Sequence, residues 1–155
     1  MPRGCAWASW SAASTASSPS PCSHAAIDTL VRHGAAAQGR HGRARARGVG
    51  RSPRLPRRYC ERDDVDAVIA LGCLMRGTIH FDLIAGEVTK ALGALARGRV
   101  PVAFGVLTTD SLEQSIHRAG AKAGNKSAEA AMAAIEQARV LASLRPPARA
   151  RGTRR

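Results

Sequence analysis

The sequence predicts an α/β protein: a parallel sheet with helices on both faces, three layers deep (α/β/α). Three observations carry this. Two short, continuous apolar runs rich in β-branched residues, Ala67–Cys73 and Val100–Leu107, read as strands buried on both faces. Each is followed by apolar residues recurring at spacings of three and four, the period of a helix with one buried side. The connections are short and contain glycine, so strand–helix–strand–helix order leads to parallel neighbours.

Taken in chain order, the first recognisable element is a helical fragment, Ala25 to His33, with Ala26, Ile27, Leu30 and Val31 at helical spacing. No strand pattern flanks it. After the acidic stretch Asp63-Asp64-Val65-Asp66 comes the first strand, Ala67–Cys73, and then a turn, Arg76-Gly77-Thr78. From His80 to Arg97 the residues Phe81, Ile84, Val88, Leu92 and Leu95 form one stripe on a helix, with Glu87 and Lys90 outside it. Gly98 closes that helix, and Val100–Leu107 is the second strand. Thr108-Thr109-Asp110-Ser111 precedes a short helix, Leu112 to Ala119. A last helix runs from about Asn125, a good N-cap residue, to Leu144, with Ala128, Ala131, Met132, Ile135, Ala138 and Leu141 on one face. Two strands cannot cover two layers of helices, so the block is expected to lack strands, with Val68, Ile69, Val102 and Val106 partly uncovered.

At 155 residues the chain suits one domain, and with aromatics at 3% its core must be built from Ala, Val, Ile and Leu. The net charge of +13 implies a nucleic-acid or anionic-membrane partner if taken as an average. Its distribution says otherwise. Residues 1–58 carry +9, residues 59–144 carry −1, and residues 145–155 carry +5. The predicted organisation is therefore an irregular N-terminal part (1–60, containing the fragment 25–35), a near-neutral α/β block (61–144) and a basic tail (145–155).

The basic segments contain Arg but no Lys and no stacking aromatics beside the charges, which weakens the nucleic-acid reading of Arg40–Arg58 and Arg149–Arg155. Solvated linkers, or translation of GC-rich DNA out of frame, are the competing explanations. The Ser-rich opening with Arg3 and no acid before Asp28 has a transit-peptide composition but no amphipathic helix, so a cytoplasmic location is expected. No apolar run approaches the ~18 residues of a membrane-spanning helix. Cys5, Cys22, Cys60 and Cys73 show no CxxC spacing, so neither a metal site nor a disulfide framework is expected, and Cys73 reads as a small buried hydrophobe.

Five runs carry a resemblance: AVIALGC (67–73), RG-T-x-HFD (76–82), VPVAFGVLTTD (100–110), LEQ…RAG (112–120) and KAGNK (122–126). In this order and spacing, Asp66–Leu144 resembles the second half of the lumazine synthases of riboflavin biosynthesis. The fragment 26–35 resembles the end of that family's first helix. The resemblance implies a four-stranded parallel sheet flanked by helices. It implies condensation of 5-amino-6-(D-ribitylamino)uracil with 3,4-dihydroxy-2-butanone 4-phosphate to 6,7-dimethyl-8-ribityllumazine, without metal or organic cofactor. It also implies a homo-oligomer, either a pentamer or a 60-subunit shell, with each active site between neighbouring subunits.

By the same resemblance His80 is the acid/base residue, a role suited to imidazole near neutral pH. Arg118 holds the substrate phosphate through a planar, permanently charged fork. Gly77 and Thr78 belong to the phosphate-binding turn, and Lys126 lies near it. Cys73, Leu74 and Met75 line the strand end under the uracil ring, and Phe104 packs near the pyrimidine from the adjoining subunit. Without the resemblance, His80 reads as an ordinary histidine at a helix N-terminus, Arg118 and Lys126 as solvated surface charges, and Phe104 as strand core.

Two departures bear on activity. The family's turn reads RG-x-T-x-H, and Arg76-Gly77-Thr78-Ile79-His80 is one residue shorter. The RFN-like and VPGA(F/W)E-like segments of the family's first half do not occur, although the spacing from Gly34 to Asp66 is family-like. The first half is therefore read as degenerate or frameshifted, and the chain is expected to have impaired activity. The alternatives are a non-enzymatic Arg-rich nucleic-acid binder and an inactive paralogue that still oligomerises.

Overall fold

In the computed structural model the described residues are 8–11, 21–34, 44–47, 54–122 and 124–144. Most of the Arg-rich stretch, the end of the helical fragment at Ala35, and the whole basic tail lie outside them. The elements are β1 (Ala8–Ser11), α1 (Pro21–Arg32), β2 (Ala44–Arg47), α2 (Arg54–Cys60), β3 (Val68–Met75), α3 (His80–Leu95), β4 (Val102–Thr109), α4 (Leu112–Ile116, extended by a π-turn over His117–Ala121) and α5 (Lys126–Leu144).

The sheet has four parallel strands in the order β2-β1-β3-β4. This corrects the expectation that two strands are missing. Neither added strand contains a β-branched residue, so local propensity gave no signal. Backbone pairing to a preformed neighbour supplies the order instead: Ala8 and Ser9 register with Ala70 and Leu71, and Ala8–Ser11 with Ala44–Arg47. The expected helical fragment corresponds to α1, which begins earlier, at Pro21, and α2 is a short helix that the sequence did not signal.

The two faces bury different sets. On one face α1 and α5 pack on the sheet, joining Ala26 and Leu30 to Ile69, Leu71, Ala103, Ala131, Ala134 and Ile135. On the other, Val88 and Leu92 of α3 meet Ala70, Leu74 and Val106, with Phe81, Ile84 and Val102 at the margin. At the N-terminal strand ends Val65, Val68 and Val100 pack with Tyr59 and Cys60 of α2. Val68, Ile69 and Val106 are buried and Val102 is half-buried, contrary to the expected exposure. The buried face of α5 is centred on Ala130, Ala131, Ala134, Ile135 and Ala138, and Leu141 is exposed, so the face is rotated from the expected one.

Small residues allow these layers to approach closely. A Cβ on Gly105 would lie 2.6 Å from Leu71 Cδ2, 3.1 Å from Ala130 Cβ and 3.1 Å from the Ala70 carbonyl oxygen. With the strand order 2-1-3-4 the chain first winds one way from β1 and then the other. The switch point falls between β1 and β3, and in open α/β sheets ligands settle outside the carboxyl ends of the strands at that point.

Candidate active site

The carboxyl end of β3 delivers Cys73, Leu74 and Met75 to the switch point, beside Leu107, Thr108 and Thr109 of β4. Leu74 turns into the α3 layer, Cys73 is half-buried and Met75 is exposed. The chain then crosses Arg76-Gly77-Thr78-Ile79 into α3. Thr78 precedes the N-cap residue Ile79 and ties the turn to the helix start: its carbonyl accepts from the Phe81 N–H at 3.1 Å, and its Oγ1 accepts from the His80 N–H at 3.4 Å. The same Oγ1 lies 3.2 Å from His80 Nδ1. The hydroxyl can accept from the backbone and still exchange a hydrogen bond with the ring nitrogen, so Thr78 fixes the orientation of the imidazole. His80 is exposed, so Nε2 faces solvent at a helix N-terminus.

Arg76 braces this turn. Its Nη1 and Nη2 donate to the two carboxylate oxygens of Asp82 at 3.0 and 3.2 Å, and its Nε donates to Asp110 Oδ1 at 2.9 Å. Its guanidinium carbon sits 4.4 Å from the centroid of the Phe81 ring. The Asp82 bond, and after it the Asp110 bond, raise the guanidinium's proton affinity above its ordinary value, so the charge is permanent.

A second network ties α4 to both strands. The Cys73 thiol donates to Ser115 Oγ at 3.3 Å, and Ser115 Oγ donates to the Ser111 carbonyl at 3.1 Å. Because that hydrogen is committed, Thr109 donates across the 2.5 Å contact to Ser115 Oγ. Cys73 is thus a half-buried hydrogen-bonded thiol and not the small buried hydrophobe expected from its run.

The remaining candidates lie elsewhere. Phe104 registers with Ala70 in mid-strand on β4, at the edge of the sheet, and is 45% exposed, which disposes of the strand-core reading. Arg118 sits on the π-turn after α4, which packs against α1 and α5. It is exposed and carries no ion pair among the described residues. Lys126 opens α5, and its Nζ donates to both carboxylate oxygens of Glu129 at 2.9 and 2.7 Å. Arg118 and Lys126 therefore belong to the α1/α5 layer, while His80 belongs to the α3 layer. One chain brings together 73–80 on the α3 side and leaves Arg118 and Lys126 in a second group, while Phe104, in register with Ala70 and alternating with Ala103, lies on the α3 face at the β4 edge.

Asn125 organises that second group. Its Oδ1 accepts from the Ser127 and Ala128 N–H groups at 2.9 and 3.3 Å, and its Nδ2 donates to the Ala119 carbonyl. Gly120, at φ +123°, has its missing Cβ where it would lie 2.9 Å from Asn125 Nδ2. The hook thus joins the Arg118 turn to the start of α5. The sequence marks Asn125 as the cap of the last helix, which it is, but not as the hook to Ala119, and it assigns no role to Arg76, Asp82, Asp110, Thr109 or Ser115. The signal for Arg76 and Asp82 was present, since both stand in the motif RG-T-x-HFD.

The fold and this site define a doubly wound α/β protein with a polar turn at its switch point. The family of 6,7-dimethyl-8-ribityllumazine synthases matches residues 16–142, a span that takes in α1 and β2 as well as the α/β block. The chain belongs to that family.

Proposed function

We propose that this chain is a lumazine synthase by descent, acting in riboflavin biosynthesis. Its reaction is the condensation of 5-amino-6-(D-ribitylamino)uracil with 3,4-dihydroxy-2-butanone 4-phosphate, a transferase step with loss of phosphate and water. The observation that carries the reading is the Thr78–His80 pair at the exposed start of α3, beside the carboxyl end of β3. Imine formation and phosphate elimination each move a proton, and an exposed imidazole whose ring is oriented by Thr78 suits both.

The division of residues between two layers supports a site shared by neighbouring copies. Gly77, Thr78 and His80 from one copy would meet Phe104, Arg118 and Lys126 from the next, with Cys73–Met75 under the pyrimidine. Arg118, which has no ion pair among the described residues, would take the phosphate, and Lys126 would reach it by releasing Glu129. Exposed Ile79 just before α3 and Leu83 on it, and Phe104, Leu112 and Ile116 around β4 and α4, give each half an apolar border for such contact. The assembly is a pentamer or a 60-subunit shell in the cytoplasm. The reaction as proposed needs no metal or organic cofactor.

Activity is reduced relative to the family pattern. The turn before Thr78 is one residue short, a displacement of up to ~3.5 Å of chain, and the aromatic segments that would line the pyrimidine pocket are absent from the sequence. Among the described residues no helix is long and apolar enough to cross a membrane.

The test is lumazine formation by the purified full-length chain, run beside a sizing measurement. Slow turnover by an oligomer supports the reading. A well-formed oligomer without turnover identifies an inactive paralogue, and salt-sensitive binding of nucleic acid by a monomer would replace it altogether. Re-translation of the coding DNA in the other frames decides whether RFN-like and PGAFE-like segments were lost by frameshift.

A further inference from the structure

Arg76 touches three elements at once. Its backbone N–H donates to the Thr109 carbonyl on β4 at 2.8 Å, its Nε donates to Asp110 just beyond β4, and its two terminal nitrogens grip Asp82 in the first turn of α3. Residues 76 and 82 are thereby closed into a loop through their side chains. Gly77, Thr78, Ile79, His80 and Phe81 all lie inside that loop, and the Phe81 ring forms its floor beneath the guanidinium. The geometry needs a fork: Nε addresses one carboxylate while the terminal nitrogens address the other in parallel. An ammonium could keep the charge but not both directions.

The clamp also has an electrostatic consequence. Asp82 and Asp110 come from different elements and both converge on one guanidinium. Removing the cation would leave two carboxylates facing one space beside a turn that must accept an anion. They would repel each other and push the start of α3 away from β4.

We propose that Arg76 is a positioning residue for His80: by closing the 76–82 loop onto β4 it sets where the Thr78–His80 pair sits. The proposal rests on the assignment of proton transfer to His80, which gives that position its importance. In a turn one residue short of the family pattern, this brace is what keeps the imidazole at the strand end.

The experiment uses full-length protein with 15N-labelled histidine and no substrate, comparing wild type with Arg76→Gln, Arg76→Lys and Asp110→Asn. His80 signals are assigned by their loss in His80→Ala. In Arg76→Gln the ring signals of His80 are expected to move toward those of an unrestrained imidazole. Amide exchange over 77–81 should rise about fivefold or more while 68–72 keeps its protection. Arg76→Lys should fall between wild type and Arg76→Gln, and Asp110→Asn, which retains the Asp82 grip, should move less than Arg76→Gln. Unchanged ring signals and exchange in Arg76→Gln would overturn the proposal. So would protection lost evenly over 68–72 and 77–81 in both Arg76 variants, the signature of a brace with no local role. None of these readouts requires turnover, so a failure of the assigned reaction and a failure of the positioning role are seen separately.

Discussion

Asn125 offers the most discriminating perturbation of the second half of the site, because its two ends do different work. The Oδ1 end caps α5 through the Ser127 and Ala128 N–H groups, and the Nδ2 end holds the Ala119 carbonyl beside Arg118. The orientation of the amide is forced, since the reverse would set its NH2 against two N–H donors. Asn125→Ala removes both: about 1 kcal/mol for the cap, and about 1–3 kcal/mol for a half-buried carbonyl left unsatisfied. The expected loss is about 2–3 kcal/mol once part of that carbonyl's hydration is restored. Asn125→Asp keeps the cap, with a small gain from a negative charge at a helix N-terminus, but turns a carboxylate oxygen toward the Ala119 carbonyl. It should therefore lose about 1–2 kcal/mol. Urea unfolding with unchanged slope measures both variants. Asn125→Ala within about 0.5 kcal/mol of wild type would refute the hub, and Asn125→Asp as stable as wild type would refute the hook to Ala119.

Gly105→Ala should cost about 1–3 kcal/mol, because Leu71 can swing aside but Ala130 and the Ala70 carbonyl cannot; thermal unfolding checks it. Ser127 is fully buried and its Oγ has no hydrogen-bond partner among the described residues, so Ser127→Ala should stabilise the chain by about 1 kcal/mol, and a loss of stability would disprove that account. Burial pushes the Cys60 thiol above its ordinary 9.0, with Arg99 pulling partly back, so its stabilising contribution is complete below about pH 9 and is lost as pH rises through the folded-state value. Cys60→Ser should flatten that alkaline decline, and an unaltered pH profile would remove Cys60 as its cause. His80→Ala should lower turnover about 10²–10⁴-fold with a smaller effect on binding of the phosphate substrate, and an unchanged rate would remove His80 from the mechanism.

The second half of the fold was legible because its signals are local. The run around Val68 and Ile69 fixes β3, the stripe ending in Val88 and Leu92 fixes α3, and both fall within two residues of the expected bounds. What was not legible depends on partners distant in sequence. Ala44–Arg47 reads as a basic linker and becomes a strand by pairing with β1, which itself pairs with β3. The face of α5 was misjudged by part of a turn because Ala is placed by Gly105 and the sheet beneath it, not by its own weak hydrophobicity. At the site, motifs are enough to name candidate residues, whereas the side chains that hold them carry no local signal. Ser115 is an unremarkable serine until Cys73 and Thr109 arrive from two strands to donate to it.

The separation of the site into two layers has a consequence for how function could be lost. His80 and Thr78 depend on the Arg76 clamp and the end of β3, while Arg118 and Lys126 depend on Asn125 and the start of α5. These are independent local structures on opposite faces of the sheet, so damage to one leaves the other folded. If the proposed shared site is correct, either half is inert alone, and activity requires the α3 side of one copy to meet the β4–α4 edge of another. Such a contact joins two different surfaces, and a contact of that kind closes into a ring when the rotation between copies permits. A chain whose first half has diverged can then keep both local structures and still fail, because the exposed rims around Ile79 and Leu83, and around Phe104 and Leu112, must fit each other. On the proposed shared site, assembly is the step on which the reaction would depend most steeply, ahead of the acid/base chemistry proposed for His80.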